Sequence, residues 1–351
     1  MQNIKIIASH LSGKGGTETV LKKVMESNYL NSEFNLELHT FDDMADSSWT
    51  KSFKSQVSKG GKSRLLNLLK YLMLLVHSKN DVLIILGPEL INIASLYRKI
   101  FKGRYLIVSW VHFTLEDNSF INTNKLALAD YHLAISTGIV KQLQTIGVDK
   151  SKIRLIYNPV SKTDKRIKKS EDCQFIYVGR VMLNGQKNIR ELINSLAKVT
   201  GKWSLNIIGD GPDLVKCQLY AEQILGKESQ RITWSGWKND PWEDVDSATA
   251  LVLTSKFEGF GMVLAESISQ SLPAISSNCE VGPSDIISDR NNGFLYSPGD
   301  TDKLSEYLQL FIDDKDNISR ELIPETLNKF YAEQYFRNFG NIITEFGDSN
   351  G

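Results

Sequence analysis

Short apolar runs alternate with helical patterns along almost the whole chain. The runs are rich in Ile, Val and Leu with little polar alternation, which predicts strands buried on both faces of a parallel sheet. Strands and helices in alternation predict doubly wound α/β sheets. The predicted strands are 3–9, 36–41, 81–86, 105–111, 131–136, 153–157, 174–178, 203–208, 232–236, 248–253, 274–276 and 293–296. The main predicted helices are 18–27, 62–78, 90–101, 138–146, 188–199, 262–269 and a stretch from 301.

The alternation stops once, in a polar and lysine-rich segment at 160–172, and then starts again. We interpret this segment as a linker between two domains, and a chain of 351 residues is long enough for two domains of ordinary size. The predicted N-terminal domain is 1–158 and the second domain is 159–323. We expect the helical, aromatic tail 324–351 to pack back on the N-terminal domain.

The composition is that of a globular protein, with 41% hydrophobic and 23% charged residues. The three cysteines, Cys173, Cys217 and Cys279, are far apart and form no C-x-x-C pair. This spacing argues against a disulfide framework and a zinc site and favours a reducing compartment. The first residues predict a strand rather than a signal peptide, and no apolar window is long enough to cross a membrane. We therefore expect a cytoplasmic protein.

The net charge is zero, but the charges are unevenly distributed. Up to residue 158 there are 20 Lys and Arg against 13 Asp and Glu, and from 159 onward there are 21 against 28. The window 47–80 contains no acidic residue, while Leu65 to Val76 lie among its basic side chains. A basic, apolar helix can lie on an anionic membrane, although leucines at helical spacing also suit a core. No nucleic-acid-binding motif is present, so an anionic surface is the predicted partner.

A glycine-bearing turn, EGFG at 258–261, separates the apolar run 248–253 from a helical pattern that begins at Met262. A second carboxylate, Glu266, lies about one helical turn further on. Backbone N–H groups at a helix N-terminus favour a diphosphate, and carboxylates accept hydrogen bonds from ribose or sugar hydroxyls. The same pattern also suits a tight turn with two solvated glutamates.

Two cations flank the loop that follows the predicted strand 174–178. Arg180 offers a planar fork of donors and Lys187 a point charge, a combination suited to a diphosphate, although both could be solvated. Earlier in the chain, Gly15 and Gly16 belong to a glycine-rich loop after the first strand, where backbone amides could face a phosphate or a sugar hydroxyl. His112 ends the strand 105–111, where open sheets place ligand groups or where a core histidine could stand.

Several short motifs occur in one order along the chain: GR at 179–180, a lysine seven residues after the arginine, GDGP at 209–212, and glutamates at 258 and 266. With the early glycine loop, these motifs resemble the retaining glycosyltransferases of family 4, which have the GT-B fold. SWVHF, ADYHLAIS, NPV, FIYVGR, GQK and LTSKFEGF resemble more closely the lipopolysaccharide 1,6-galactosyltransferases of outer-core synthesis. The resemblance covers nearly the whole chain.

This resemblance implies two Rossmann-like domains that face each other across a cleft, with the nucleotide sugar bound mainly by the second and the acceptor by the first. Carried over by position, Arg180 and Lys187 hold the donor diphosphate, Glu258 bonds the donor sugar, Glu266 bonds the ribose, and His112 lies beside the sugar. Further donor-binding positions implied by the resemblance are Gly15, Gly16, Gly209, Gly259, Phe260, Gly261 and Met262.

The implied activity is a retaining hexosyl transfer that needs no metal or other cofactor. The donor is a UDP-hexose, with galactose or glucose favoured, and the acceptor is an oligosaccharide or a lipid-linked glycan of bacterial cell-surface synthesis. Cations and amides can stabilise the departing diphosphate without a metal ion. The D-x-D at 244–246 lies in a polar, helix-like stretch, so we interpret it as solvated. The expected location is the cytoplasm or the inner face of the cytoplasmic membrane.

The chain departs from the family pattern at several points. Ser271 and Leu272 precede Pro273 where the family usually has glycine, and Pro283 with Ser284 replaces a second glycine of many members. These differences affect the donor sugar more than the reaction class. Two alternatives stay open: a catalytically silent glycan-binding subunit that kept the fold, and a sugar phosphorylase or epimerase of similar architecture.

Overall fold

The computed structural model describes residues 1–11, 13, 15–115 and 122–348, which divide between two units. The first unit consists of Met1–Pro159 with Ala332–Gly351, and the second consists of Val160–Tyr331. Each unit is built on its own sheet, and every pairing among the described strands is parallel. The predicted doubly wound α/β class is therefore confirmed for both units.

Among its described residues up to Pro159, the first unit has seven strands and six α-helices. The strands are β1 (Gln2–Ala8), β2 (Phe34–Thr40), β3 (Gln56–Ser58), β4 (Val82–Ile85), β5 (Leu106–Val111), β6 (Tyr131–Ala134) and β7 (Ile153–Leu155). The helices are α1 (Gly16–Glu26), α2 (Asn28–Glu33), α3 (Arg64–His77), α4 (Pro88–Phe101), α5 (Thr123–Leu126) and α6 (Thr137–Thr145). The strand order is β3-β2-β1-β4-β5-β6-β7.

The second unit has six strands and five helices among its described residues. The strands are β8 (Gln174–Val178), β9 (Ser204–Ile208), β10 (Ile232–Gly236), β11 (Ala250–Leu253), β12 (Ala274–Ser277) and β13 (Gly293–Tyr296). The helices are α7 (Ile189–Leu196), α8 (Leu214–Leu225), α9 (Met262–Ser269), α10 (Pro283–Ile286) and α11 (Thr301–Ile312). The strand order is β10-β9-β8-β11-β12-β13.

Helices on both faces explain why the strands are continuously apolar. Residues of β4, β5 and β11 are buried without interruption along each strand. The charged exception in β1 is Lys5, whose Nζ lies 2.6 Å from Asp81 Oδ2 and donates to Ser78 Oγ at 2.9 Å. A buried ammonium group is tolerated because its charge and its hydrogen bonds are satisfied locally.

The tail forms a last helix, α12 (Ala332–Asp348), within the first unit. Its aromatic side chains pack on that sheet: Phe339 lies 5.8 Å from Trp110 between ring centroids, and Phe346 stacks on Tyr131 at 4.1 Å. The chain returns to the first unit at 331/332 rather than at the expected 323/324. The reason is that a 3-10 helix, Ile323–Phe330, packs on α9, with Phe330 in edge contact with Phe260.

The segment 160–172, interpreted from its lysines as a linker, is an ordered part of the second unit. Val160 bridges to Tyr331, Lys168 bridges to Ser247, and the buried Ile167 donates its N–H to the carbonyl of Gln270 at 2.8 Å. The linker interpretation was wrong because this segment is held by backbone hydrogen bonds to distant residues, and such bonds leave no mark in the polar composition. Only the crossing at 159/160 coincides closely with the predicted boundary.

Candidate active site

The strand order of the second unit reverses between β8 and β11, because the chain adds β9 and β10 on one side of β8 and β12 and β13 beyond β11. Ligands of open parallel sheets bind outside the carboxyl ends of the strands at such a switch point. β8 ends at Val178 and β11 ends at Leu253. Arg180, Lys187 and Glu258 follow these two strands, so they belong to the loops of one sheet edge.

The backbone around Arg180 is held by the neighbouring loop after β9. Gly209 stands where the two loops cross, since a Cβ atom there would lie 1.9 Å from the carbonyl oxygen of Gly179. Val181 donates its N–H to Asp210 O at 3.0 Å, and the Tyr177 hydroxyl donates to the carbonyl of Arg180 at 2.8 Å. Gly209 thus acts through close backbone packing, while the Arg180 side chain is exposed to solvent.

Lys187 and Glu258 bind each other. Lys187 Nζ lies 2.5 Å from Glu258 Oε1, and their side chains are only 15% and 9% exposed. The resemblance assigns both side chains to the donor, and the structure adds that the two charges neutralise each other. Removing either partner would leave the other as an uncompensated, partly buried charge. The pair therefore holds the loop after β8 against the turn after β11.

Backbone contacts join the same two loops. Lys256 donates its N–H to the carbonyl of Gln186 at 2.8 Å, and Gln186 Nε2 donates to Phe257 O at 3.2 Å. The buried hydroxyl of Thr254 donates to Lys187 O at 3.0 Å. The loop after β8 and the turn after β11 are therefore one hydrogen-bonded assembly. The sequence motifs indicate both loops but not this connection.

The EGFG turn leads directly into α9. Gly261 is the N-cap residue with φ of +89°, a left-handed conformation that favours glycine, and α9 begins at Met262 without a side-chain cap among the described residues. The turn is supported from behind by Gly282, where a Cβ atom would lie 2.2 Å from Phe260 O. Phe260 packs its ring on Phe330, inside the unit, so only its backbone can face a ligand. Gly259 precedes it as a partly exposed residue.

Glu266 lies on α9 and is half-buried. Its Oε2 accepts a hydrogen bond from the indole Nε1 of Trp242 at 3.1 Å. The indole therefore fixes the orientation of a carboxylate for which the family resemblance implies ribose recognition. Trp242 escapes a motif search because it stands in the loop before β11, far from α9 in sequence.

In the first unit, the glycine loop is organised by a carboxylate that the motif analysis did not single out. Gly15 is the N-cap residue of α1, and Gly16 is its first residue, two positions before the predicted start. Glu18 Oε1 accepts a hydrogen bond from Gly13 N at 2.9 Å, and a Cβ atom on Gly15 would lie 2.6 Å from Glu18 Oε2. The signal for this role is a glutamate in the first turn of a helix after a glycine loop.

His112 follows β5 at the carboxyl edge of the first sheet, as predicted. Its ring lies 4.5 Å from that of Trp110, and its Nε2 is buried without a hydrogen-bond partner among the described residues. Burial lowers the pKa of His112 to about 3, so the ring is neutral near pH 7. Gly15, Gly16 and His112 belong to the first unit, and all other predicted site residues belong to the second.

Both aspartates of the D-x-D at 244–246 are exposed, and Asp244 pairs with Lys238 at 2.6 Å. In the part of the chain that the structure describes, no group of three His, Cys, Asp or Glu side chains is placed to hold a metal ion. The positive charge near the predicted diphosphate position comes from Arg180, Lys187 and the N-terminal end of α9.

Comparison with known proteins gives relatives over the full length. A family profile described as Glycosyl transferases group 1 matches residues 161–329. The chain is 37% identical over 356 residues to a lipopolysaccharide 1,6-galactosyltransferase of Salmonella typhimurium, covering 97% of this chain and 98% of that protein. It is 34% identical over 354 residues to the lipopolysaccharide 1,6-galactosyltransferase of Escherichia coli K12, covering 97% of both.

Solved structures agree with the fold. The lipopolysaccharide outer core galactosyltransferase WaaB in its apo form is 34% identical and superposes with a TM-score of 0.87, covering 98% of this chain and 99% of that one. Anabaena HepE in complex with UDP gives a TM-score of 0.81 at 17% identity, covering 98% and 100%, and supports the fold alone. The expected GT-B fold with two Rossmann-like domains is thereby confirmed.

Proposed function

The chain belongs to the group 1 glycosyltransferases, and from this premise we propose that it transfers galactose from UDP-galactose to a saccharide of the lipopolysaccharide outer core. Two relatives at 37% and 34% identity named lipopolysaccharide 1,6-galactosyltransferase support galactose and this acceptor class. Glucose is the second donor sugar to be tested, since the residues that read hydroxyl stereochemistry are not among the motifs. The proposed place of the reaction is the inner face of the cytoplasmic membrane.

The observation that supports the site assignment best is the meeting of Lys187, Glu258 and the start of α9 at the switch point between β8 and β11. When the donor binds, Lys187 exchanges Glu258 for a diphosphate oxygen. Glu258 then accepts a hydrogen bond from a sugar hydroxyl. The pair thus keeps both charges compensated before binding and supplies both to the donor afterwards.

The developing negative charge on the departing UDP is stabilised by three sources in this proposal. Arg180 and Lys187 contribute full charges, and the backbone N–H groups at 259–262 contribute the positive end of α9. Groups that are already in place cost no reorganisation as the glycosidic bond breaks, which is why such stabilisation accelerates the reaction. The two cations supply the charge that a metal ion supplies elsewhere, so the proposed transfer is metal-independent. Retention of the anomeric configuration is proposed from the family resemblance.

Glu266 is proposed to bond the ribose hydroxyls, oriented by Trp242. In the first unit, Gly15 and Gly16 remain proposed donor-binding residues, and Nε2 of His112, which has no hydrogen-bond partner among the described residues, is available for a sugar hydroxyl. A neutral imidazole can either donate or accept this hydrogen bond, depending on its tautomer.

The test is a transfer assay with purified outer-core lipopolysaccharide lacking the galactose branch, comparing UDP-galactose with UDP-glucose in the presence and absence of EDTA. The expected product is a galactosylated core with an α-linkage resolved by NMR, formed equally with EDTA. Binding of UDP without turnover of either donor would favour the catalytically silent subunit. Release of a sugar phosphate from added phosphate would favour a phosphorylase.

A further inference from the structure

The outer face of α3 is apolar and exposed. Leu65, Leu66, Leu69, Met73 and Val76 are each more than half exposed, at 68%, 59%, 51%, 60% and 51%. They follow one another at helical spacing and form a stripe along one side of the helix. The opposite side packs on the unit through Asn67, Tyr71 and Leu75, which are buried. The core alternative is therefore right for Leu75 and wrong for Leu65, Leu66 and Leu69, while Leu68, Leu72 and Leu74 are partly buried.

The apolar surface continues on the neighbouring helix α4. Leu96, Ile100 and Phe101 are 56%, 62% and 64% exposed. The connections from β3 to β4 and from β4 to β5 step in the same direction along the sheet, so right-handed crossovers place α3 and α4 on the same face. The two helices also contact each other, with the Tyr71 hydroxyl donating to Leu90 O at 2.9 Å. We call the eight exposed apolar residues of the two helices the α3–α4 surface.

Basic side chains surround the α3–α4 surface. Seven of them are exposed and form no ion pair with a carboxylate of the described residues: Lys62, Arg64, Lys70, Lys79, Lys99, Lys102 and Arg104. Carboxylates that could neutralise these cations are scarce. The window 47–80 contains none, and Glu89 near the start of α4 is already paired with Lys125 at 2.5 Å. The surface therefore combines large apolar side chains with uncompensated positive charge.

From this combination we propose that the α3–α4 surface docks on an anionic phospholipid bilayer, with the apolar side chains at the headgroup level and the basic ones against the lipid phosphates. A second copy of the chain is a poorer occupant, because a symmetric contact through this surface would place two clusters of unpaired cations against each other. No helix among the described residues is long and apolar enough to cross a membrane. The proposal concerns a surface outside the donor site and does not depend on the proposed transfer reaction.

The second unit offers a matched control surface. Val215 and Leu219 lie four residues apart on α8 and are 65% and 60% exposed, as Leu69 and Met73 are on α3. Lys202 and Lys227 are exposed in the same unit and match Lys62 and Arg64 in charge. None of these residues belongs to the donor site, so both sets of variants keep the donor-binding residues intact.

The experiment measures flotation of the full chain with phosphatidylglycerol–phosphatidylcholine vesicles and with phosphatidylcholine vesicles at low and high salt. We expect the wild type to prefer the anionic vesicles and to detach as salt rises. Lys62→Gln with Arg64→Gln should lower the partition coefficient about 30-fold, and Leu69→Gln with Met73→Gln at least ~10-fold. The controls Val215→Gln with Leu219→Gln and Lys202→Gln with Lys227→Gln should bind as the wild type does.

Light scattering and thermal unfolding of every variant complete the experiment. The proposal is overturned if the wild type shows no preference for anionic vesicles, if the control variants lose as much binding as the α3 variants, or if the α3 variants change only the molecular mass. The last outcome would assign the surface to a second copy of the chain. Donor-dependent UDP release in free solution should be the same in all five proteins, so a failure of the proposed reaction is recorded separately.

Discussion

The two sheets reverse strand order in the same way, between β1 and β4 in the first unit and between β8 and β11 in the second, but their edges are held differently. In the second unit, the loops at the edge are joined by the Lys187–Glu258 pair and by several backbone bonds. In the first unit, Glu18 accepts a hydrogen bond from Gly13 N in the glycine loop, while Nε2 of the half-buried His112 has no hydrogen-bond partner among the residues that the structure describes. Two sheets with the same reversal of strand order thus differ at this edge: the second unit has a hydrogen-bonded pair of charged side chains, and the first has an uncharged imidazole.

The titratable groups separate the units further. All five histidines, His10, His39, His77, His112 and His132, belong to the first unit. The second unit instead contains Glu191, a buried carboxyl whose pKa is raised mainly by burial. The charges proposed to bind the donor and the two histidines with strongly lowered pKa values, His112 and His132, therefore lie in different units.

The largest expected effect comes from removing a cation of the charged edge. Lys187→Ala or Arg180→Ala should lower turnover at saturating donor by roughly 10²–10³, the usual scale for losing one electrostatic partner of the transition state. Lys198→Ala is the matched control, because Lys198 pairs with Asp302 on the surface of the same unit at 2.7 Å. Near-normal turnover of Lys187→Ala would show that the Lys187–Glu258 pair is only structural, and the proposed functional difference between the two sheet edges would then be wrong.

Glu258→Gln sharpens the same point, because it removes the charge of the other partner of Lys187. It should lower turnover and reduce the preference between donor sugars, whereas Lys187→Ala should affect all UDP-hexoses alike. Combining both changes in a double-mutant cycle with turnover and UDP affinity measured separately should give strongly non-additive effects, since the two groups contact each other. Additive effects would mean that the side chains act independently.

The second effect is acid sensitivity of the first unit. Burial lowers the pKa of His112 to about 3 and that of His132 to about 4, below the ordinary 6.5. The unfolded state therefore binds more protons below pH 6.5, and the stability that these neutral histidines allow is lost as pH falls from about 6.5 toward 3. For His112 the expected loss at pH 5 is about 2 kcal/mol.

Hydrogen exchange at pH 7 and pH 5, corrected for the intrinsic rates, measures this loss unit by unit. Protection should fall in the first unit more than in the second, where Glu191 has the opposite sign because stability due to a raised carboxyl pKa is lost as pH rises. His112→Gln should reduce the difference, and His77→Gln controls for removing an exposed histidine. An equal loss of hydrogen-exchange protection in both units would contradict the attribution of the acid sensitivity to the histidines of the first unit.

The smallest expected effect concerns nucleotide binding at Glu266. Glu266→Gln should weaken UDP binding roughly tenfold, because a hydrogen bond to a charged acceptor is worth about 1.5–3 kcal/mol and part of it survives in the amide. Trp242→Phe should weaken binding less, since the carboxylate stays but loses its indole donor. Calorimetric titration with UDP measures both, with the exposed Glu222→Gln on α8 as control. Unchanged affinity of Glu266→Gln would remove the ribose role.

Much of the fold could be predicted from local pattern alone. Apolar runs predict twelve of the described strands, and the two glycines of EGFG predict the turn before α9, where Gly261 has a left-handed backbone in the structure. The three-residue edge strand β3 and the short helices α2 and α5 were missed, since few residues give no clear periodicity. The segment 160–172 was misinterpreted because its order comes from backbone bonds to distant residues.

By itself, the sequence determined where the strands, helices and glycine turns lie and which residue types can bind a diphosphate and a sugar, because each of these depends on residues close together in the chain. Only the tertiary structure decided that Lys187 pairs with Glu258, that Trp242 orients Glu266, and that one face of α3 stays exposed while the other is buried. These features join residues that are far apart in the chain. Their formation depends on which strands become neighbours in the sheet, and no local pattern encodes that choice.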